Sequence, residues 1–497
     1  MSIPYETPCR FHKHTYTALS EDADSDDDAS SDSSSKGTTT TSNARTSART
    51  SSKFIKSQLS SSGVLSASTI GDLNVAVTDF VLSMRATGCY EEFRATLDQA
   101  TTPSTGLPVP GRAVVRIEAR ERNWYKVKIG GGLKHEGGDG LSGGFTSSSS
   151  SLSLPTVQFE SSAKLINVIG DCSTTSAAYN VDQGGVASSH FTHVRPGVKW
   201  LGEAMPFSLS VGARQDEADH QSSRSYRETQ KGVFCSVRSG PPSSEAGILG
   251  QLEWSAALRD VLPSLHPTTP YGVDASPYVV AESGPNFKHA VKAVLSTNHA
   301  FTHPNRYVPA GGVDVSLTGE LAGPPGDVGL VKSELSSALH YPLHPLLSLH
   351  AHVGLGALKA LPFGGLCNPC SNISDRFYLG GPLNLRGFGQ GGVGPRSDPR
   401  GPGADGGDTL GGELYHVSSL QLSTPFPHPV VGGNGVRLFA FGSAGTLCNW
   451  REAGTAAKVL GSTRVSAGMG VAVPTPIGRF EVTFAKVLRK GERDDVQ

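Results

Sequence analysis

The stretch Leu335-Ser336-Ser337-Ala338-Leu339-His340-Tyr341-Pro342-Leu343-His344-Pro345-Leu346-Leu347-Ser348-Leu349-His350-Ala351-His352-Val353-Gly354-Leu355-Gly356-Ala357-Leu358 contains no Asp, Glu, Lys or Arg. By length and hydropathy it could pass for a membrane helix. Pro342, Pro345 and the four His at 340, 344, 350 and 352 argue against one, because such residues are costly on a helix facing lipid. The period argues the same way. From Leu347 to Ala357 the odd positions are Leu, Leu, Ala, Val, Leu and Ala, and the even ones are Ser348, His350, His352, Gly354 and Gly356. Alternation by two sorts side chains onto the two faces of a strand, not onto a helical stripe. With no other apolar run of spanning length, a bilayer location requires a closed β-barrel, in which strands satisfy one another's backbone groups.

The same texture extends outward in both directions. In Trp124-Tyr125-Lys126-Val127-Lys128-Ile129, residues 125, 127 and 129 are apolar while 126 and 128 are charged. Val465, Ala467, Met469, Val471 and Val473 alternate with Ser466, Gly468, Gly470 and Ala472. A soluble β-sandwich alternates too, so periodicity alone leaves both architectures open. The polar face here is often Ser, Gly and His rather than dense charge, which favours a wet lumen.

Composition agrees with many short strands. Charged residues make up only 18% of the 497, and Gly and Pro number 60 and 32, too little charge and too much Gly for a helical bundle. A formal net charge of −1 excludes a phosphate-neutralising surface, so no nucleic-acid partner is expected. The seven Cys have no repeating spacing, which indicates neither a disulfide framework nor a zinc site. The N-terminus shows neither an apolar signal core nor an Arg-rich transit peptide, and Asp26-Asp27-Asp28 has the opposite charge.

Residues 1–53 are acidic and Ser-rich and are expected to form a disordered tail. Apolar residues at 73, 77, 80, 81 and 84 predict an amphipathic helix stopped by Gly88, followed by a strand pair through Tyr90, Phe93 and Leu97 and through Ala113 to Glu118. These define a small α+β module over 54–121, and the barrel is expected over 122–497.

The most specific segment is Asp375-Arg376-Phe377-Tyr378-Leu379-Gly380-Gly381-Pro382-Leu383-Asn384-Leu385-Arg386-Gly387-Phe388, followed by a Gly/Pro/Asp-rich run and Leu410-Gly411-Gly412-Glu413-Leu414-Tyr415. It resembles the surface-antigen domain of the outer-membrane β-barrel assembly superfamily, whose sixth loop carries DRF-x-LGG and [VL]RGF elements before a strand opening LGGE. Leu165-Ile166-Asn167-Val168-Ile169-Gly170-Asp171 is similar to that family's turn into an early barrel strand. Cys89-Tyr90-Glu91-Glu92-Phe93 after the helix looks like part of a polypeptide-transport-associated (POTRA) domain, whose first strand is hard to find upstream of Phe54.

The resemblance implies an antiparallel transmembrane β-barrel of about 16 strands, or 15 in this chain, with a small N-terminal α+β POTRA-like domain. In the family the loop folds into the lumen, which places Leu385, Arg386, Gly387 and Phe388 there. It also implies a partner strand carrying Phe439, Phe441, Ser443 and Gly445. Ser443 stands where the family has an acidic or amide residue, so Arg386 must find other acceptors. Gly478 to Phe484 resembles the family's penultimate strand, and the final strand is expected to be missing after Gln497.

A single module, with no signal sequence, is similar to the mitochondrial branch of the family, found in sorting and assembly. That branch implies residence in the mitochondrial outer membrane and insertion of β-barrel precursors through a lateral gate at Tyr125, Lys126, Val127, Lys128 and Ile129. Membrane lipid, precursor proteins and accessory subunits of the assembly complex are the implied partners. The alternatives are an import or passive channel of an organelle outer membrane, and a soluble all-β binding protein. No enzymatic activity, cofactor or metal is expected. Gly387-x-Gly389-x-x-Gly392 has dinucleotide-binding spacing, but Gly394 and Pro395 prevent the helix that would follow. His350 and His352 read as lumen lining, and Cys367 and Cys370 as loop thiols.

Overall fold

Ile55 and Leu59, then Leu73, Val77, Phe80 and Met84, recur at helical spacing, and all are buried. In a computed structural model of the chain they lie on helices α1 (Ser52–Ser61) and α2 (Ile70–Ala86). Ser51 and Thr69 cap these helices by accepting the amides of Phe54 and Asp72. Gly88, at φ +70°, turns the chain out of α2. The structure describes residues 10–18, 49–101, 107–134, 156–182, 185–198, 207–239, 248–264, 275–298, 301–302, 309–362, 371–382, 384–398, 407–454, 459, 461–475 and 478–496.

Strand β1 (Arg10–Ala18) lies parallel to β3 (Pro108–Glu121), which pairs antiparallel with β2 (Tyr90–Thr101). The module thus runs β1-α1-α2-β2-β3, with sheet order β1-β3-β2. Of the tail expected over 1–53, Arg10–Ala18 complete the sheet and α1 begins at Ser52, while residues 1–9 and 19–48 lie outside the described residues. The low average hydrophobicity of the region concealed a short segment of His, Thr and Tyr, residue types that strands accept.

From Tyr125 onward the chain is a meander. Its strands are β4 (Tyr125–Lys134), β5 (Thr156–Ile166), β6 (Thr174–Asp182), β7 (Ala187–Val198), β8 (Phe207–Asp219), β9 (Tyr226–Ser239), β10 (Ile248–Pro263) and β11 (Gly284–Asn298). After the two-residue β12 (Phe301–Thr302) come β13 (Pro309–Ala322), β14 (Leu330–His344), β15 (Leu347–Ala360), β16 (Leu414–Pro425), β17 (Arg437–Cys448), β18 (Arg464–Thr475) and β19 (Gly478–Arg489). Leaving aside β12, which among the described residues pairs with β13 alone, each strand lies antiparallel beside the next, from β4 to β19.

The alternation read from the sequence has its expected meaning. Tyr125, Val127 and Ile129 are 54%, 59% and 71% exposed, and Val482 and Phe484 at the other end of the meander are 45% and 75% exposed. Such exposure of large apolar side chains along successive strands is what lipid contact requires. On the opposite face, Phe439 and Phe441 lie against Gly470 and Gly468, where any Cβ would collide with the rings. Among the described residues no helix is long and apolar enough to cross a membrane.

Candidate functional site

The segment between β15 and β16 returns over the inner face of the meander, anchored first by Asp375. Its carboxylate accepts from Arg259 Nη1 and Nη2 at 2.9 and 3.0 Å and from Lys288 Nζ at 2.6 Å. Lys288 also meets Glu320 at 2.5 Å, and Lys332 Nζ donates to the Asp375 carbonyl at 2.8 Å. Asp375 and Arg259 are 4% and 3% exposed, so this is a bidentate pair withdrawn from water. Arg376 donates to Glu282 at 2.6 Å and to the Leu410 carbonyl at 3.0 Å. Phe377 stacks on Tyr415 at 5.5 Å and covers Gly356 of β15. Asp408 accepts from Ser225 Oγ and the Ser276 amide at 2.6 and 2.7 Å, joining two more loops to the same end of the sheet.

The tip of the loop reaches β19. Gly380, Gly381 and Gly387 take φ of +123°, +100° and +89°, a backbone path open to glycine. Leu385 and Phe388 are fully buried with Leu379 and Val417. Arg386 donates to Glu481 of β19 at 3.1 Å and to Gln421 of β16 at 3.5 Å, with its guanidinium 5.4 and 4.9 Å from the rings of Phe439 and Phe441. Gly387 packs against Ala485 and Val487. Beyond β19 the chain returns to the loop: the Gly389 amide donates to the Asp495 carbonyl, and the Asp495 amide to that of Gly392, both at 3.0 Å.

Of the residues expected at the site, the structure thus brings together Leu385, Arg386, Gly387, Phe388, Phe439 and Phe441. Ser443 faces Ser466 Oγ at 3.4 Å, and Gly445 makes room for Leu379. Glu481 supplies the carboxylate that Ser443 lacks. His350 is bonded to His340 at 2.8 Å and to Ser423 at 3.0 Å, and Cys367 and Cys370 lie outside the described residues. The anchor made by Arg259, Lys288, Glu320 and Lys332 was missed by sequence reasoning. Its signal was present as charges of both signs at alternate, lumen-facing positions of β10, β11, β13 and β14, among them Glu253, Lys292 and Glu334.

Among the described residues, Tyr125 to Ile129 lie on an edge strand: β4 pairs with β5 alone, and β19 with β18 alone. Because every step between them is antiparallel and their number is even, β4 and β19 point the same way. Beneath this seam the module is fastened to the β5–β6 turn. The Ser51 amide donates to the Gly170 carbonyl at 2.7 Å, Asn167 Nδ2 to Thr50 Oγ1 at 2.8 Å, and Cys89 Sγ to the Cys172 carbonyl at 3.2 Å. Glu121 closes the clasp, accepting from Thr50 Oγ1 at 2.7 Å and from Arg49 Nε at 3.1 Å. Burial tends to raise its carboxyl, but the Thr50 hydroxyl and the Thr50 and Arg49 amides outweigh this and hold it below the usual range.

Residues 144–497 match a family model described as the Omp85 superfamily domain. The chain is 34% identical over 230 residues to a SAM50-like protein of Schizosaccharomyces pombe, covering 44% of each. It is 37% identical over 186 residues to the sorting and assembly machinery component 50 homolog of Homo sapiens, covering 35% of each. These matches span less than half the length of either relative. BamA from Haemophilus ducreyi lacking POTRA domains 1-3 is similar in fold, with a TM-score of 0.66 at 15% identity over 98% of this chain and 83% of that one.

Proposed function

Because the chain belongs to the Omp85 superfamily, we propose that it inserts β-barrel precursors into the mitochondrial outer membrane through a lateral gate between β4 and β19. The observation that carries this reading is the seam. Among the described residues the outer edge of β4 pairs with no strand, and its backbone groups are open to one more antiparallel strand. A client's terminal strand can supply it through backbone hydrogen bonds, which accept many sequences. No nucleotide, metal or covalent step is required. The proposed partners are lipid, precursor proteins and accessory subunits, and the N-terminal module, POTRA-like in its β-α-α-β-β order, holds precursors beneath the opening.

The loop favours this over a passive channel. Anchored at Asp375 on β10 and β11 and at Arg386 on β19, it crosses the inner face where a pore would run, and ties the seam strand to the opposite wall. The test is depletion of the protein followed by import of labelled barrel precursors into isolated mitochondria. Precursors should cross the outer membrane and remain protease-accessible inside without forming folded barrels; normal assembly would contradict the proposal.

A further inference from the structure

The seam carries an excess of positive charge, with Glu160, opposite Gly130, on the same face two residues from Ser162, which faces Lys128. Lys126 of β4 stands directly opposite Lys164 of β5, and Lys128 is the next residue along on the same face, about 6.8 Å away. Like charges directly opposite one another destabilise a strand pair. None of the three has an ion-pair partner among the described residues. They share a cavity of about 640 Å³ with Arg122, Ser162 and Ser176, in which Glu91 is the one acid among the lining residues. The Arg122 Nε is committed to the Tyr90 carbonyl at 3.1 Å. The cluster lies on the face opposite Tyr125, Val127 and Ile129, so its ammonium groups point to the lumen rather than to lipid.

We infer that Lys126, Lys128 and Lys164 form a receptor for carboxylates on the lumen face of the strand that adds to β4. The inference rests on the gate proposed above and names the client chemistry it selects. A strand pairing with β4 places the residues opposite 126 and 128 two apart, both turned inward. Asp or Glu at those positions would neutralise the ladder while the intervening apolar residue continues the lipid face. Lysines on an edge strand can also serve the opposite purpose, repelling unwanted strands, and the two roles give opposite results.

The experiment uses the full chain in nanodiscs of neutral lipid and a labelled strand peptide carrying Glu, Gln or Lys at the two inward positions, read by anisotropy and by photo-crosslinking to β4. Glu should bind about fivefold to tenfold tighter than Gln, and Gln tighter than Lys, with the differences shrinking in high salt. In K126E/K128E, folded as judged by heat-modifiable gel mobility, the order should invert. Equal binding of the three peptides, while crosslinking to β4 persists, overturns the inference and leaves the gate standing. Tighter binding of all three by K126Q/K128Q also overturns it, assigning the lysines to repulsion. A lysine dependence confined to anionic phospholipid vesicles, with a flat peptide order, overturns it in favour of headgroups. If no peptide crosslinks to β4, gate and receptor fall together.

Discussion

Asp375 sits between Arg259 and Lys288 with almost no exposure to water. Replacing it with Asn leaves Arg259 buried without its counter-charge and Lys288 with Glu320 alone. The expected cost is about 3–5 kcal/mol, read as a lowered midpoint in urea-dependent loss of the heat-modifiable barrel; an unchanged midpoint would mean that the anchor is not formed. At Arg386 the discriminating change is to Lys. An ammonium can still meet Glu481, but it cannot span Glu481 and Gln421 or lie as a plane beside Phe439 and Phe441. Arg386→Lys should therefore resemble Arg386→Ala, each losing about 1–2 kcal/mol and slowing precursor assembly; full activity in the Lys variant would reduce the site to simple charge. The place of Arg386 was legible because it lies in a long motif. Its carboxylate was not, because Glu481 comes from a strand whose register with the loop is set only in three dimensions.

At the scale of elements, the junction of module and meander depends on one carboxylate. Glu121 has its carboxyl lowered in the folded chain from an ordinary value of 4.5. The unfolded form therefore binds the proton first as pH falls. The stabilisation is complete above about 4.5 and is lost as pH drops through the lower, folded value. Hydrogen exchange at the Ser51 amide, bonded to Gly170, should report this as protection lost only in acid. Glu121→Gln should weaken the clasp at neutral pH by about 1.5–3 kcal/mol and remove the acid transition; the same transition in the variant would place its origin elsewhere. The strands from β4 to β19 were legible from their two-residue period because lipid on one side and water on the other impose opposite demands. α2 was legible from its stripe and from Gly88. β1 and α1 were not, since a few apolar residues such as Ile55 and Leu59 were diluted by Ser, Lys and Thr, and β1 finds its partner about a hundred residues away.

For the whole molecule, the outward apolar surface on successive strands requires lipid. Alkaline carbonate extraction should leave the protein in the membrane pellet, and release into the supernatant would restore the soluble all-β reading. The seam is the larger claim, because an open edge exposed to a client distinguishes an insertase from a sealed barrel. Single Cys residues at Val127 of β4 and Phe484 of β19, each in a background lacking the native Cys, can be paired with a Cys in the terminal strand of an arrested barrel precursor in isolated mitochondria. The account predicts disulfide adducts to both positions that appear while the precursor is being inserted and vanish when its barrel is complete. No adduct at either position, in mitochondria that still assemble the precursor, would contradict it.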